Sequence, residues 1–177
     1  YFEEINEQNK PVDRKGCSPM APLPFISPLY HGSLENALDI AFEPYPVKEK
    51  GIFFGTATEA INSLAAIKKV VYEEKRFSLS EIYSACLSNY EGEKGALIKS
   101  VLWNCPKWGN NDDYVDEIAT DVLEFCLKEA QKYKTFLGGQ VLGGIHQPHP
   151  VSMGEKLMAT PEGRSAGAPV AVTLTPE

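Results

Sequence analysis

The sequence lacks the features that mark disulfide-rich, membrane-spanning, secreted and nucleic-acid-binding proteins. Its four cysteines lie far apart and none forms a CxxC pair, so a disulfide framework is not indicated. No apolar run is long enough to span a membrane, and no secretory signal pattern is visible. Acidic residues outnumber basic ones by 24 to 17, and the net charge of −7 argues against a nucleic-acid partner. We therefore expect a cytoplasmic protein with reduced thiols and with neither a membrane nor a nucleic-acid partner.

The amino-terminal part of the chain differs in character from the rest. Residues 1–28 contain five prolines, and each proline lacks an N–H donor and biases the preceding residue towards extended geometry. We expect this part to be an extended segment. Residues 29–177 should hold the helices and strands, and the hydrophobic content of the chain, 43%, is sufficient for a core.

Hydrophobic periodicity predicts helices that alternate with short buried strands. The predicted strands are Gly51–Gly55, Gln140–His146 and Val170–Leu174. The predicted helices are Leu29–Ile40, Thr56–Glu74, a segment from Ser78 to about Asn89, Glu93–Asn104, and a long helix from Asp112 or Asp113 to Tyr133. Buried strands joined by long helical connections pair in parallel, so the predicted fold class is α/β. Three strands leave a parallel sheet half covered, and we expect further strands to lie outside this chain.

Two of these helix starts carry the S/T-x-x-E pattern of a capping box. One pairs Thr56 with Glu59, and the other pairs Ser78 with Glu81. Each pattern predicts that a hydroxyl and a carboxylate satisfy the free amides at the start of the helix.

A loop rich in Gly, Asn and Asp, Pro106–Asp116, precedes the longest predicted helix. Asn110 or Asn111 can cap that helix. Its first turn is acidic, with Asp112, Asp113 and Asp116. The positive end of the helix stabilises each such anion by roughly 0.3–1 kcal/mol. Because the mid-loop Gly and terminal Glu of an EF-hand are absent, we expect a structural loop and no metal site.

A second loop, Thr160–Pro169, combines Pro, Gly and charge. Pro161 presets φ, and Gly163 allows a positive φ. Arg164 can clamp a carboxylate with two parallel hydrogen bonds. Two roles remain open for Arg164: it binds substrate, or it pins the loop to the first turn of a helix or to a neighbouring element.

Polar side chains follow two of the predicted strands. They are Thr56, Thr58 and Glu59 after the first strand, and His146 and His149 after the second. Loops at the carboxyl ends of parallel strands line ligand sites, and a histidine there can act as an acid or base near pH 7. These five residues are substrate-pocket candidates, although Thr56 and Glu59 could only cap a helix and the histidines could be structural. The spacing of the histidines also fits zinc, but no third ligand is close in sequence.

Four segments, in order along the chain, resemble the glycyl radical enzymes, the pyruvate formate-lyase-like family. Pro106–Asp116 is similar to the family's Pro-Lys-(aromatic)-Gly-Asn-Asp-Asp, and Thr160–Pro169 to its Thr-Pro-Asp-Gly-Arg-x-Ala-Gly-x-Pro. Pro22–Ser27 resembles Pro-Leu-Pro-Phe-Leu-Ser, and Asn62–Lys69 resembles Asp-Ser-Leu-Ala-Ala-Ile-Lys-Lys. Three positions carry another residue where the family usually has Asp: Asn62, Asn111 and Glu162.

The resemblance implies that residues 1–177 are part of an α/β barrel of two parallel half-sheets wrapped by helices. In this family a radical S-adenosylmethionine activase installs a radical on a glycine. A thiyl radical then forms on a cysteine and abstracts hydrogen from a small organic substrate, and a C–C or C–heteroatom bond breaks. Both formate C-acetyltransferase-like and dehydratase-like lyases belong to the family. The barrel is implied to keep solvent and oxygen from the radical, as anaerobic organic-radical chemistry requires.

The same resemblance implies that the radical residues lie outside this chain. The family's radical glycine follows the segment similar to Thr160–Pro169, and its thiyl cysteine lies far upstream of the segment similar to Pro22–Ser27. Cys17 follows a glycine, as the thiyl cysteine often does, and is a weak candidate beside the reading of an ordinary thiol. We expect no activity from the chain alone and no bound cofactor. The implied partners are the activase, the remainder of the barrel and a second copy in a full-length homodimer.

Functions of other classes remain open on the sequence. A non-catalytic α/β module could bind a ligand or partner through the Gly138–Pro150 loop. A hydrolase built on Cys17 and a histidine is a weaker alternative, because no motif places a base beside that thiol.

Overall fold

A computed structural model of the chain describes residues 23–40, 49–134 and 139–172. In chain order these residues form a 3-10 helix (Ser27–Leu29), α1 (Ser33–Asn36), β1 (Glu49–Phe53), α2 (Ala57–Ile67), a π-helical extension of α2 (Lys68–Glu73), α3 (Leu79–Leu87), α4 (Gly92–Trp103), α5 (Asp113–Gln131), β2 (Gln140–Gly144) and α6 (Pro150–Gly154). None of the helices in the described ranges is both long and apolar enough to cross a membrane.

The described residues fall into two compact units. The first takes its residues from the chain up to Ile52 and from Cys126–Gly144. The second takes Phe53–Phe125 and the residues from Ile145 onwards. The candidate site residues after both strands belong to the second unit.

The sheet confirms the predicted α/β class. β1 and β2 pair in parallel, and the connection between them carries α2 to α5. The strand predicted at Gly51–Gly55 begins and ends two residues earlier, and the strand predicted at Gln140–His146 ends at Gly144. Residues 170–172 of the third predicted strand are not in a strand, and its last two residues lie outside the described part of the chain.

The first unit corrects two predictions for residues 23–40. The long helix predicted at Leu29–Ile40 is wrong, because only the single turn of α1 forms and Ala37 ends it at φ 50°. The Asp39 carboxylate folds the chain back by accepting hydrogen bonds from the Leu23 amide at 2.8 Å and the Ser27 hydroxyl at 3.0 Å. Residues 23–28, predicted to be extended, therefore form a turn and the start of the 3-10 helix. Residues 1–22 lie outside the described part.

The core of the second unit has two clusters that share α2. The larger contains buried side chains of α2, its π extension, α3, α4 and the loops beside them: Ala66, Val70, Ile82, Ala85, Cys86, Tyr90, Ile98, Leu102, Cys105 and Ala159. The smaller joins α2 to α5 through Ile61, Ala65, Val115 and Ala119. Each large apolar side chain buried in this way contributes about 1.5–3 kcal/mol relative to exposure. Together the two clusters fix α2, whose first residue follows β1 closely.

The start of α5 is capped by a different residue from the one predicted. The Asp112 carboxylate accepts from the Tyr114 amide at 3.0 Å, as an N-cap side chain does. Asn111 has φ 55°, and the Asn110 amide group donates to the Lys107 carbonyl, so neither asparagine caps the helix. The first turn of α5 contains Asp113 and Asp116, where the sequence predicted acidic residues.

One of the two predicted capping boxes is confirmed and the other is wrong. The Ser78 hydroxyl accepts from the Glu81 amide at 3.3 Å, and the Glu81 carboxylate accepts from the Ser78 amide at 2.8 Å. Thr56 instead has φ 61° and makes no side-chain cap. The left-handed conformation of Thr56 leaves the Glu59 carboxylate free to bind elsewhere.

Candidate active site

The loops that follow β1 and β2 lie against each other in the second unit. The Phe53 ring meets the His146 imidazole edge-on, with ring centroids 5.3 Å apart and an interplanar angle of 61°. A Cβ atom on Gly55 would lie 3.4 Å from Nε2 of Gln147. The structure therefore brings together the two loops on which the sequence placed the substrate-pocket candidates.

The five candidates differ in exposure. His146 and His149 are exposed and Thr56 is half-buried, whereas Thr58 and Glu59 are only 4% and 5% exposed. The two imidazoles are thus the most accessible groups among the five. The two buried residues, Thr58 and Glu59, lie in the first turn of α2.

Gln147 is a site residue that the sequence reasoning missed. Its side chain is 6% exposed, and its Oε1 accepts from the His149 amide at 3.4 Å. Its Nε2 is buried and has no hydrogen-bond partner within the described residues. The only sequence signal was its position beside His146, on the loop after β2.

Glu59 has a long-range partner instead of the capping role predicted for it. Its Oε1 accepts a hydrogen bond from the Ala171 amide. Its Oε2 is buried and unpaired within residues 23–40, 49–134 and 139–172. The amide before Ala171, that of Val170, donates to the Pro150 carbonyl at 3.2 Å.

Arg164 holds the loop from Thr160 to Pro169 through main-chain carbonyls in the loop and just before it. The guanidinium donates to the carbonyls of Met158, Ser165 and Ala168, the last two at 3.1 and 2.7 Å. Arg164 is 6% exposed. The side chain pins the loop, as one of the two predicted roles required. Two of its partners are carbonyls of the loop itself, and the third, that of Met158, lies two residues before Thr160.

Three side chains from other parts of the second unit also hold this loop. Two of them lie in the turn between α3 and α4, and the third lies in α4. The Tyr90 hydroxyl donates to the Thr160 carbonyl at 2.6 Å. The Asn89 Oδ1 accepts from the Ala166 amide at 2.8 Å, and the Lys99 ammonium donates to the Ser165 hydroxyl at 2.7 Å. These hydrogen bonds give the loop a structural role.

The Pro106–Asp116 loop is also held by backbone contacts. The Lys107 ammonium is buried and donates to the Leu102 and Trp103 carbonyls at 3.1 and 3.0 Å, near the end of α4. The Trp108 amide donates to Oδ1 of Asn62 at 2.8 Å. A carbonyl cluster at a helix end favours a cation, which accounts for a lysine at this position.

The buried thiols are poor nucleophiles. Burial raises the pKa of Cys86, which also contacts the Tyr90 hydroxyl at 3.3 Å, and burial likewise raises the pKa of Cys105. A thiol with a raised pKa stays protonated near pH 7 and does not attack substrate. Cys17 lies outside the described residues, and within them no group of three His, Cys, Asp or Glu side chains could hold a metal ion.

The arrangement defines an α/β protein whose polar loops meet at the carboxyl ends of parallel strands, the usual position of a ligand site. The family model described as pyruvate formate lyase-like matches residues 10–154. The chain belongs to this family, which confirms the resemblance to glycyl radical enzymes found in the sequence.

Individual relatives agree with that assignment. Over all of its own 177 residues the chain is 29% identical to trans-4-hydroxy-L-proline dehydratase of Clostridioides difficile. Over 64% of its own length it is 38% identical to isethionate sulfite-lyase of Nitratidesulfovibrio vulgaris. A structure from work on 1,2-propanediol dehydration in Roseburia inulinivorans matches 86% of the chain with a TM-score of 0.76 and 31% identity.

The matches cover only part of each relative. The chain spans 22% of the hydroxyproline dehydratase, 13% of the isethionate sulfite-lyase and 20% of the Roseburia inulinivorans chain.

Proposed function

We propose that this chain is part of a glycyl radical lyase that acts by a dehydratase-type elimination. The observation that supports this most strongly is the joint similarity, in sequence and in structure, to dehydratases and to a sulfite-lyase over most of the chain. The substrate is a small organic molecule with a hydroxyl or similar leaving group beside a carbon from which hydrogen is abstracted. The radical residues, the rest of the barrel and a second subunit lie outside these 177 residues.

The proposed chemistry assigns separate tasks to the chain and to its partners. A radical S-adenosylmethionine activase installs the glycyl radical, and a thiyl radical abstracts the substrate hydrogen. The loops after β1 and β2 bind the polar groups of the substrate and exclude water from it. The protein works in the cytoplasm under anaerobic conditions and binds no other cofactor.

Within this proposal His146 contacts the substrate. Its imidazole is exposed and is held edge-on against Phe53 at the end of β1. An imidazole can donate to the leaving group, accept a hydroxyl proton, or exchange a proton near pH 7. Gln147 Nε2, buried and unpaired within the described residues, is a second donor on the same loop. His149 on the same loop, and Thr58 in the first turn of α2, are the further polar candidates beside it.

The proposal predicts that His146→Ala lowers kcat of the activated full-length protein by about 100-fold, the scale of a lost general acid or base. The assay follows product formation from 1,2-propanediol, trans-4-hydroxy-L-proline and isethionate after anaerobic activation. His31→Ala is the matched control, since His31 is an exposed histidine of the first unit. Equal turnover by both variants would show that His146 does not contact the substrate. Full-length protein that converts none of these compounds would favour the alternative of a non-catalytic module.

A further inference from the structure

We infer that Glu59 is a positioning residue that ties the loops after β1 and β2 together through the main chain at Val170–Ala171. This inference deepens the proposed function, and only its kinetic test rests on that function. It replaces the expectation that Glu59 either caps a helix or lines the substrate pocket.

Two consecutive amides carry the argument. The Val170 amide donates to the Pro150 carbonyl at 3.2 Å, at the end of the loop that holds His146. The Ala171 amide donates to the Glu59 carboxylate, at the end of the loop that holds Gly55. The main chain at these two residues is therefore a cross-link between the two loops.

The local setting suits Glu59 to this task. Its carboxylate lies in the first turn of α2, where the positive end of the helix stabilises an anion. A carboxylate that accepts from a backbone amide makes a charge-assisted hydrogen bond, roughly twice as strong as a neutral one. The Glu59 side chain is 5% exposed and Ala171 is half-buried, so water has limited access to the contact.

The segment that leads to Ala171 is fixed before it reaches the cross-link. Tyr90, Asn89 and Lys99 hold residues 160–166 against α4 and the turn before it. The Glu59 carboxylate bonds to the main chain at the far end, after Pro169. Loss of this bond would free the Ala171 amide and weaken the hold on the two loops, while the Val170–Pro150 bond and the loop at Thr160 stay in place.

The direct test measures amide hydrogen exchange at Ala171 in the full-length protein. Glu59→Met removes the acceptor, and we expect Ala171 to exchange at least about tenfold faster, as loss of one hydrogen bond implies. Glu59→Gln keeps an acceptor oxygen and should retain most of the protection. Amides of α4 serve as the internal control for folding. Protection of Ala171 that is unchanged in Glu59→Met would overturn the inference.

A second variant covers the case in which Glu59→Met does not fold. Ala171→Pro removes the same bond from the donor side and leaves Glu59 in place. We expect faster exchange at Val170 with unchanged α4 amides. Full protection of Val170 in this variant would count against the cross-link as strongly as the first result.

The kcat values of the Glu59 variants distinguish a positioning role from direct contact with the substrate. If Glu59 positions the loops, Glu59→Gln keeps kcat within about threefold of wild type, and Glu59→Met lowers it more than tenfold. A carboxylate that exchanged protons with substrate would lose its function in both variants. Glu59→Gln as inactive as Glu59→Met, with Ala171 still protected, would overturn the inference. The hydrogen-exchange measurement does not require turnover, so it tests the role of Glu59 even if the proposed function is wrong.

Discussion

Replacing Gly163 with Ala is expected to lower the free energy of unfolding by about 3 kcal/mol, whereas Gly167→Ala should lower it by only about 1 kcal/mol. Both glycines lie in the Thr160–Pro169 loop and both have positive φ, 98° and 75°. An L-residue pays a similar backbone cost at either position. The expected difference arises from the space around each Cβ, and urea denaturation of the two variants measures it.

The contacts at the two positions differ sharply. A Cβ on Gly163 would lie 2.9 Å from the Trp103 amide nitrogen and 3.2 Å from the Lys99 carbonyl, at the end of α4. A Cβ on Gly167 would meet no atom within 4 Å. Because α4 backbone cannot move aside cheaply, the extra methyl group should displace the loop. Equal losses for both variants would mean that the loop does not pack against α4 as described.

Replacing Arg164 with Met is expected to lower the free energy of unfolding by about 3–5 kcal/mol, because the carbonyls of Met158, Ser165 and Ala168 would lose their donor in a buried setting. Arg164→Lys should recover only part of this loss, since an ammonium cannot reproduce the planar fork of the guanidinium. Arg76→Met is the matched control: Arg76 is exposed, and its replacement should change stability by less than about 0.5 kcal/mol. Thermal and urea unfolding of the three variants give the comparison.

The Arg164 variants also decide between the two roles that the sequence left open. A residue that binds substrate would raise KM in the full-length protein and leave stability nearly unchanged. A residue that holds the loop lowers stability and leaves KM of the folded fraction unchanged. A raised KM with wild-type unfolding would contradict the structural role.

The sequence predicted local structure well where neighbours in the chain decide it. The Ser78–Glu81 capping box formed as predicted because both partners lie within one turn. The same pattern at Thr56–Glu59 failed because the chain leaves β1 through a left-handed residue, and the carboxylate found a partner 112 residues away. No local pattern can show which of two S/T-x-x-E motifs has a competing long-range partner.

The candidate site was predicted in part for the same reason. The sequence placed Thr58, Glu59 and His146 just after two strands, and these strands pair in parallel, as the long helical connection between them predicts. Thr58 and Glu59 lie in the first turn of α2 and not in the loop itself. Gln147 was missed because its importance depends on the close approach of Gly55, which only the folded chain shows. The sequence left both a substrate-binding and a loop-pinning role open for Arg164, and its carbonyl partners become apparent only in the folded loop.

Electron paramagnetic resonance of the activated full-length protein tests the central claim most directly. After anaerobic incubation with its radical S-adenosylmethionine activase, we predict the doublet of a glycyl radical, stable until oxygen is admitted. The 177-residue chain treated in the same way should give no doublet, because we place the radical glycine outside it. A doublet on the 177-residue chain, or none on the full-length protein, would contradict the account.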